Sequence, residues 1–264
     1  MSLDPAMTQR VRSAPVYVAP RLHELSPSPV VYAHVPEWKR VVKRVLDIVS
    51  AVIALTAFAA ILPLVALAIR LDSPGPIFYS QVRVGINRRL GDRRRSSRNP
   101  VGPERRSGAI ANDRRRVVAQ GRLFTIYKLR SMVEDAETRG ARWAQKGDAR
   151  ITRVGAFLRR TRLDEVPQFW NVLRGEMSLV GPRPERPPFI ELLSDEVPGY
   201  LDRLRFKPGI TGLSQVELGY DSSVDSVRRK VETDVRYMTE FGLLKDFVIM
   251  FRTVKVVLTG QGAN

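Results

Sequence analysis

One apolar block dominates the pattern of polar and apolar positions. From Ile48 to Ile69 only Ser50, Thr56 and Pro63 break the run, and no charge falls within it. As a helix these residues would span about 33 Å, enough to cross a bilayer. A buried core helix is the competing reading, and the missing polar face weighs against it. Lys39, Arg40, Lys43 and Arg44 precede the block and Arg70 follows it. Positive charge marks the cytoplasmic side, and both ends carry some. Pro63 removes a helix hydrogen bond and kinks a helix. The pattern therefore predicts a re-entrant helix over 37–71 that enters the membrane, bends at Leu62-Pro63 and returns to the same face. A straight span, favoured by the asymmetry of four charges against one, is the alternative.

Beyond the block the period changes. Residues 76–83, around Ile77-Phe78-Tyr79, and the run Leu123-Phe124-Thr125-Ile126-Tyr127 read as strands. Residues 133–162 read as helical and basic, and 165–174 as a short helix closed by Gly175. A Pro-rich loop is expected over 178–188, then turns with short strands over 200–220. From 223 to 258 apolar residues recur near every 3.6 positions: Val224, Val227, Val231, Val235 and Met238, then Leu244, Phe247, Phe251, Val254 and Leu258. Gly242 divides that run into two helices. The second carries Lys245, Arg252 and Lys255 beside a wide apolar face, which suits a membrane surface or ordinary core packing. Residues 1–36 hold six prolines and no sustained period. They read as a flexible arm without the features of a secretory signal. The expected fold class is α+β, mostly helical: a re-entrant membrane helix, then a cytosolic domain over 72–258 with a small β-hairpin or sheet and interfacial helices, then a tail over 259–264.

Composition narrows the chemistry. Lys and Arg total 44 against 27 Asp and Glu, a formal charge of +17. That points to nucleic acid, phospholipid headgroups or phosphorylated substrates. The absence of cysteine excludes a disulfide framework, a thiolate nucleophile and Cys-ligated metals. Only two histidines, His23 and His34, weigh against a His-based metal site or triad. Residues 88–116 hold eleven arginines against Asp92, Glu104 and Asp113. The segment 88–120 has no period and reads as an insert in the domain. A solvated tether is the expectation. Contact with anionic lipid, a nucleotide regulator or a partner are the alternatives.

Three stretches carry candidate chemistry. In Arg159-Arg160-Thr161-Arg162-Leu163-Asp164-Glu165-Val166-Pro167-Gln168, Pro167 belongs in a helix's first turn. Asp164 then falls at or near the N-cap, with Glu165 just inside. On one reading the two acids merely cap a helix and complement its dipole. On the other, the upstream arginines and the free N–H groups of a helix start bind phosphate. Two carboxylates in that surround suit Mg²⁺ and phosphate chemistry. In Pro182-Arg183-Pro184 two prolines stiffen the backbone around a guanidinium, for phosphate recognition or in a plain surface turn. In Lys128-Leu129-Arg130 strand alternation sends both cations to one face, as a phosphate clamp or a solvated edge.

Assembled, these stretches resemble the bacterial sugar transferase family, the monotopic phosphoglycosyl transferases of glycan assembly. The resemblance runs through Lys43-Arg44-x-x-Asp47, Gly75-Pro76-Ile77-Phe78, Gln81-x-Arg83-x-Gly85 and Phe124-x-Ile126-Tyr127-Lys128-Leu129-Arg130-Ser131-Met132. It continues through Leu163-Asp164-Glu165-x-Pro167-Gln168, Asn171-Val172-Leu173-x-Gly175, Met177-Ser178-x-Val180-Gly181-Pro182-Arg183-Pro184 and Lys207-Pro208-Gly209-Ile210-Thr211-Gly212. It covers about 40–258 apart from 88–120, where the arginine-rich insert departs from the family's short hairpin loop.

The resemblance implies transfer of a sugar 1-phosphate from a UDP-sugar to undecaprenyl or another polyprenyl phosphate, with UMP as the second product. It makes Asp164 and Glu165 the catalytic pair, Asp164 forming a covalent aspartyl-phosphosugar. It gives the same two residues to Mg²⁺, with Glu165 holding the ion or assisting proton transfer. Lys128, Arg159 and Arg183 match phosphate-binding positions, and Arg130 is grouped with them. The catalytic domain would face the cytoplasm at the bacterial inner membrane, against anionic lipids, and a homodimer is compatible with the family. A nucleic-acid-binding protein fits the charge but not the membrane block or the missing aromatic-basic platform. A membrane-anchored basic scaffold is the third reading.

Overall fold

The computed structural model describes residues 35–86, 121–136, 147–218 and 224–259. The arm up to residue 34, the insert 88–120 and the tail beyond Thr259 lie outside the described residues.

Helix α1, Glu37–Asp72, runs for 36 residues with Pro36 at its N-cap and Pro63 inside it. At about 1.5 Å per residue it is some 54 Å long if straight. By length and composition it is the candidate membrane helix among the described residues. Its side chains behave unlike those of a core helix. Ile53, Leu64, Leu67 and Leu71 are exposed, and only Asp47, Ala51, Phe58 and Ile69 are buried.

Strand β1 (Phe78–Val84) pairs antiparallel with β2 (Leu123–Leu129), Phe78 opposite Leu129 and Val84 opposite Leu123. The expected hairpin is present, and the arginine-rich segment connects its two strands. Gly85 N–H donates to Arg122 O at 2.8 Å, so the pairing continues to the point where the segment departs. Strand β3 (Ser178–Val180) pairs in parallel with β4 (Gly209–Thr211). Parallel strands need a crossover. Helix α4 (Pro187–Glu196) and the 3₁₀ turn Tyr200–Arg205 supply it.

The helical reading of 133–162 needs correction in its described part, 137–146 lying outside the described residues. Among its described residues only Arg153–Arg160, helix α2, is helical. Met132 instead bridges Ile151 in antiparallel fashion, and Val133 N–H donates to Arg150 O. Tertiary pairing outweighs helix propensity here. Thr152 Oγ1 accepts from Gly155 N at 3.0 Å and sets where α2 begins.

The 224–258 pattern splits at Gly242 as expected, into α6 (Val224–Thr239) and α7 (Leu243–Thr259). Helix α5 (Leu213–Glu217) precedes them. The two halves differ. Val227, Val231 and Met238 of α6 are core, whereas Leu244, Phe251 and Leu258 of α7 are 79, 75 and 81% exposed. Only Asp246 and Ile249 of α7 are buried.

Polar contacts tie α1 to the domain at both ends. Lys43 Nζ donates to Asp246 Oδ2 at 2.6 Å and to Val180 O at 3.1 Å. Arg44 donates to Val172 O and Leu173 O, satisfying carbonyls at the end of helix α3 (Phe169–Leu173). Asp47 Oδ1 accepts from Ser178 Oγ at 3.0 Å and Leu179 N at 2.9 Å. Asp72 Oδ2 accepts from Val154 N in the first turn of α2. Between these anchors Ala51 packs with Phe124, Ile126, Val172 and Met177, and Phe58 and Ile69 pack with Leu129 and Leu158.

Asp47→Ala is expected to destabilise by about 1–3 kcal/mol, because the Leu179 amide and Ser178 hydroxyl lose a buried acceptor. Asp47→Asn retains an acceptor and should lose less. Thermal unfolding in detergent checks this, and equal losses would refute the acceptor role.

Candidate active site

Helix α2 ends at Arg160, and Arg162 follows with φ 59 and ψ 12. It is the one non-glycine residue with positive φ among the described residues. A left-handed arginine costs about 1–2 kcal/mol, and here it reverses the chain into the 3₁₀ turn Leu163–Gln168. Asp164, expected at or near an N-cap, falls near it, in the first turn, rather than at it. Arg162 occupies the cap position, and Asp164, Glu165 and Pro167 all lie inside the turn. Leu163 and Val166 pack against the Phe58–Leu129–Leu158 cluster. That packing holds the turn under β2, so both acids are buried, Asp164 at 6% and Glu165 at 7% exposure.

The two acids have opposite surroundings. Glu165 Oε1 accepts from Lys128 Nζ at 2.8 Å and from Arg183 Nη2 at 2.6 Å. Burial pushes this carboxyl up, but Arg183 and Lys128 outweigh burial and hold it well below the usual carboxylate range. Asp164 Oδ1 has no hydrogen-bond partner among the described residues. Burial holds Asp164 above the usual range, the Glu165 charge adds to this, and Lys128, Arg159 and Arg162 oppose it. Burial likewise lowers Lys128, against the pull of Glu165.

The structure thus gathers Lys128, Asp164, Glu165 and Arg183 into one site, with the charges of Arg159 and Arg162 felt at Asp164. It does not bring Arg130 there. Arg130 is buried and donates to Ser73 O at 2.5 Å, to Pro74 O and, at 3.4 Å, to Ile69 O. It closes the C-terminus of α1, where a cation also complements the helix dipole. Neither alternative for Lys128 and Arg130 together, phosphate clamp or solvated edge, describes the buried Arg130. Arg130 lies one residue past the strand, and the open carbonyls of α1 claim it.

Residues that sequence reasoning left without a role also converge here. Arg83 Nη1 donates to Pro184 O at 3.0 Å, and Arg83 Nη2 donates to Gln81 Oε1. The i, i+2 spacing of Gln81-x-Arg83 on a strand was the available signal, since it places both on one face. Lys43 and Asp246 are 203 positions apart, and no local pattern joins them.

Comparison with known proteins adds an independent line. The profile described as "Bacterial sugar transferase" matches residues 38–91 and 104–260, the gap falling inside the arginine-rich segment. The UDP-N-acetylgalactosamine-undecaprenyl-phosphate N-acetylgalactosaminephosphotransferase of Aeromonas hydrophila is 40% identical over 244 residues, 92% of this chain and 48% of that protein. The UDP-glucose:undecaprenyl-phosphate glucose-1-phosphate transferase of Caulobacter vibrioides is 37% identical, over 84% of this chain and 71% of that protein. The exopolysaccharide production protein PSS of Rhizobium leguminosarum bv. phaseoli is 36% identical, over 84% and 98%. The chain thus spans about half the length of the Aeromonas relative and nearly all of the Rhizobium one.

The adjacent acids should respond to pH with opposite signs. A carboxyl held low stabilises the fold above its unfolded pKa, about 4.3, and that contribution is lost as pH falls through the folded value. Glu165→Gln should therefore lower the thermal midpoint at neutral pH. A carboxyl held high destabilises once pH rises through its folded value, and is harmless below about 3.9. Asp164→Asn should raise the midpoint at neutral pH, with the gain vanishing near pH 4. Midpoints measured across that range decide it, and shifts of the same sign would overturn the assignment.

Proposed function

The chain belongs to the bacterial sugar transferase family, and from that membership we propose that it transfers a sugar 1-phosphate from a UDP-sugar to undecaprenyl phosphate, releasing UMP. The observation that carries the reading is the contrast between the acids. Glu165 is locked by Lys128 and Arg183, while Asp164, one residue away, keeps a buried carboxylate oxygen without a partner among the described residues. A desolvated carboxylate with an unclaimed oxygen in a cationic surround is suited to nucleophilic attack on phosphorus.

In the first step an Asp164 oxygen bonds to the sugar-bearing β-phosphorus as the bond to UMP breaks. In the second, a phosphate oxygen of undecaprenyl phosphate attacks the same phosphorus. The aspartyl bond breaks, the Asp164 carboxylate is restored, and undecaprenyl diphosphosugar leaves. Lys128, Arg159 and Arg183 offset the phosphate charge. Two adjacent carboxylates, one with an orphaned oxygen, fit Mg²⁺, which takes one or two carboxylates plus substrate phosphates. Asp164 and Glu165 would hold the ion, and when bound it neutralises charge on the diphosphate.

The lipid acceptor requires the site to face a membrane. Helix α1 supplies a long exposed apolar surface, and α7 a second one flanked by Lys245, Arg252 and Lys255. Both ends of α1 bond to one domain, through Lys43, Arg44 and Asp47 and through Asp72. A helix of some 54 Å crossing straight through would leave its ends on opposite faces. The reading is thus a helix that enters and returns, with Pro63 as the bend and the domain on the cytoplasmic side.

UMP release by nanodisc-held protein is the test, with undecaprenyl phosphate, Mg²⁺ and a panel of UDP-sugars. One donor should give UMP, Asp164→Asn should abolish it, and Arg183→Ala should lower kcat/KM by about a hundredfold. With donor labelled in the β-phosphate and no acceptor, label should stay on the wild-type protein and not on Asp164→Asn. Activity surviving in Asp164→Asn would dismiss Asp164 as nucleophile. Silence with every donor would favour the scaffold.

A further inference from the structure

The segment from Pro182 to Glu185 carries Arg183 to the site, and each of its four carbonyls is taken by a separate donor. Pro182 O accepts from Gly209 N at 3.0 Å, and Glu185 O from Val84 N at 3.0 Å. Pro184 O accepts from Arg83 Nη1 at 3.0 Å. Arg183 O itself accepts from Arg203 Nη2 at 3.3 Å. Two donors are backbone groups of strands, and two are guanidinium groups, Arg203 buried and Arg83 half-buried. Arg203 lies on the crossover between β3 and β4. Its Nε and Nη2 meet Asp234 Oδ2 at 3.0 and 2.9 Å. Its guanidinium stacks 5.3 Å from the Tyr200 ring. Asp234, on α6, is 1% exposed and also bonds Ser214.

A pair serving only to fasten α6 to the crossover needs one side of the guanidinium. Here Nη2 serves two acceptors, the Asp234 carboxylate and the carbonyl of the residue that grips Glu165, while Nε fixes the group on Asp234. Lysine has no second nitrogen to fix its orientation on Asp234 and so does not hold both acceptors in this geometry. We propose that Arg203, oriented by Asp234, is a positioning residue that fixes the backbone of Arg183 and so the placement of its guanidinium against Glu165 and the donor phosphate. This rests on the proposed transfer reaction for the phosphate, and on geometry alone for the backbone.

The test uses the full chain in nanodiscs. Arg203→Lys keeps a cation beside Asp234, so the buried charge stays paired and the fold persists, which thermal unfolding verifies. It should lower kcat/KM for the UDP-sugar about tenfold, since small displacements of a positioned group cost rate steeply. In an Arg183→Ala background the same substitution should cost less than about twofold, because coupled residues are not additive. Amide exchange in a peptide covering 181–186 should accelerate in Arg203→Lys while β2 stays unchanged. Equal factors in both backgrounds, or unchanged exchange, would overturn the proposal. A wild-type protein that makes no UMP would sink the transfer reaction instead. Exchange would then decide alone, acceleration supporting the positioning role and its absence refuting it.

Discussion

Everything in the site depends on one buried carboxylate being held by two cations from distant parts of the chain. Glu165 Oε1 receives Lys128 from β2 and Arg183 from the loop after β3. Burying any of the three alone would be costly, and removing one partner would strand the others. The contact therefore selects a single arrangement of hairpin, 3₁₀ turn and Pro-Arg-Pro loop. It also determines the state of the neighbouring acid. With Lys128 and Arg183 committed to Glu165, Asp164 is left with desolvation and an unclaimed oxygen. Adjacent acids in one turn thus acquire opposite electrostatics, a common way to divide roles between two titratable groups.

The second constraint is mechanical. Helix α1 is too long and too apolar on its outer surface to be ordinary core, yet it is the scaffold on which the site is assembled. Its inner face packs on β2, α3 and the dyad turn through Ala51, Phe58 and Ile69. Charged residues at its ends dock on the same elements. Arg44 satisfies the end of α3, Asp47 receives β3, and Arg130 closes the helix itself. The membrane element and the chemistry are thereby locked in register. That suits the proposed reaction, which joins a soluble donor to a lipid-bound acceptor.

Stability is given up in and beside the turn that carries the two acids. The left-handed Arg162, the desolvated Asp164 and Gln168 Nε2, which has no partner among the described residues, all sit in or beside one six-residue turn. Strain and unsatisfied polarity gather at functional sites because the surrounding fold over-determines them. Here the surround is the clamped loop around Arg183 and the apolar clusters beneath the turn.

Local patterns were sufficient for the elements themselves. The apolar block, both hairpin strands, the break at Gly242 and the Asp-Glu pair just after Arg159, Arg160 and Arg162 are all readable, because periodicity, charge and proline placement are properties of neighbouring residues. Membership of a transferase family follows from the order of the motifs. What the sequence could not decide was how side chains are shared between distant elements. Arg130 looked like part of a phosphate clamp beside Lys128, and became the closure of α1 because that helix end had carbonyls to satisfy. Asp164 looked like a cap, and became a buried acid inside a turn because Arg162 reversed the chain first. Residues 133–162 looked helical, and bridge pairing took part of them. Val227 and Leu244 share one spacing, yet the first is core and the second exposed, because periodicity marks an apolar face without naming what covers it. Burial and charge pairing are settled across the whole fold, and so the tertiary structure alone separates the acid held by two cations from the acid whose Oδ1 has no partner among the described residues.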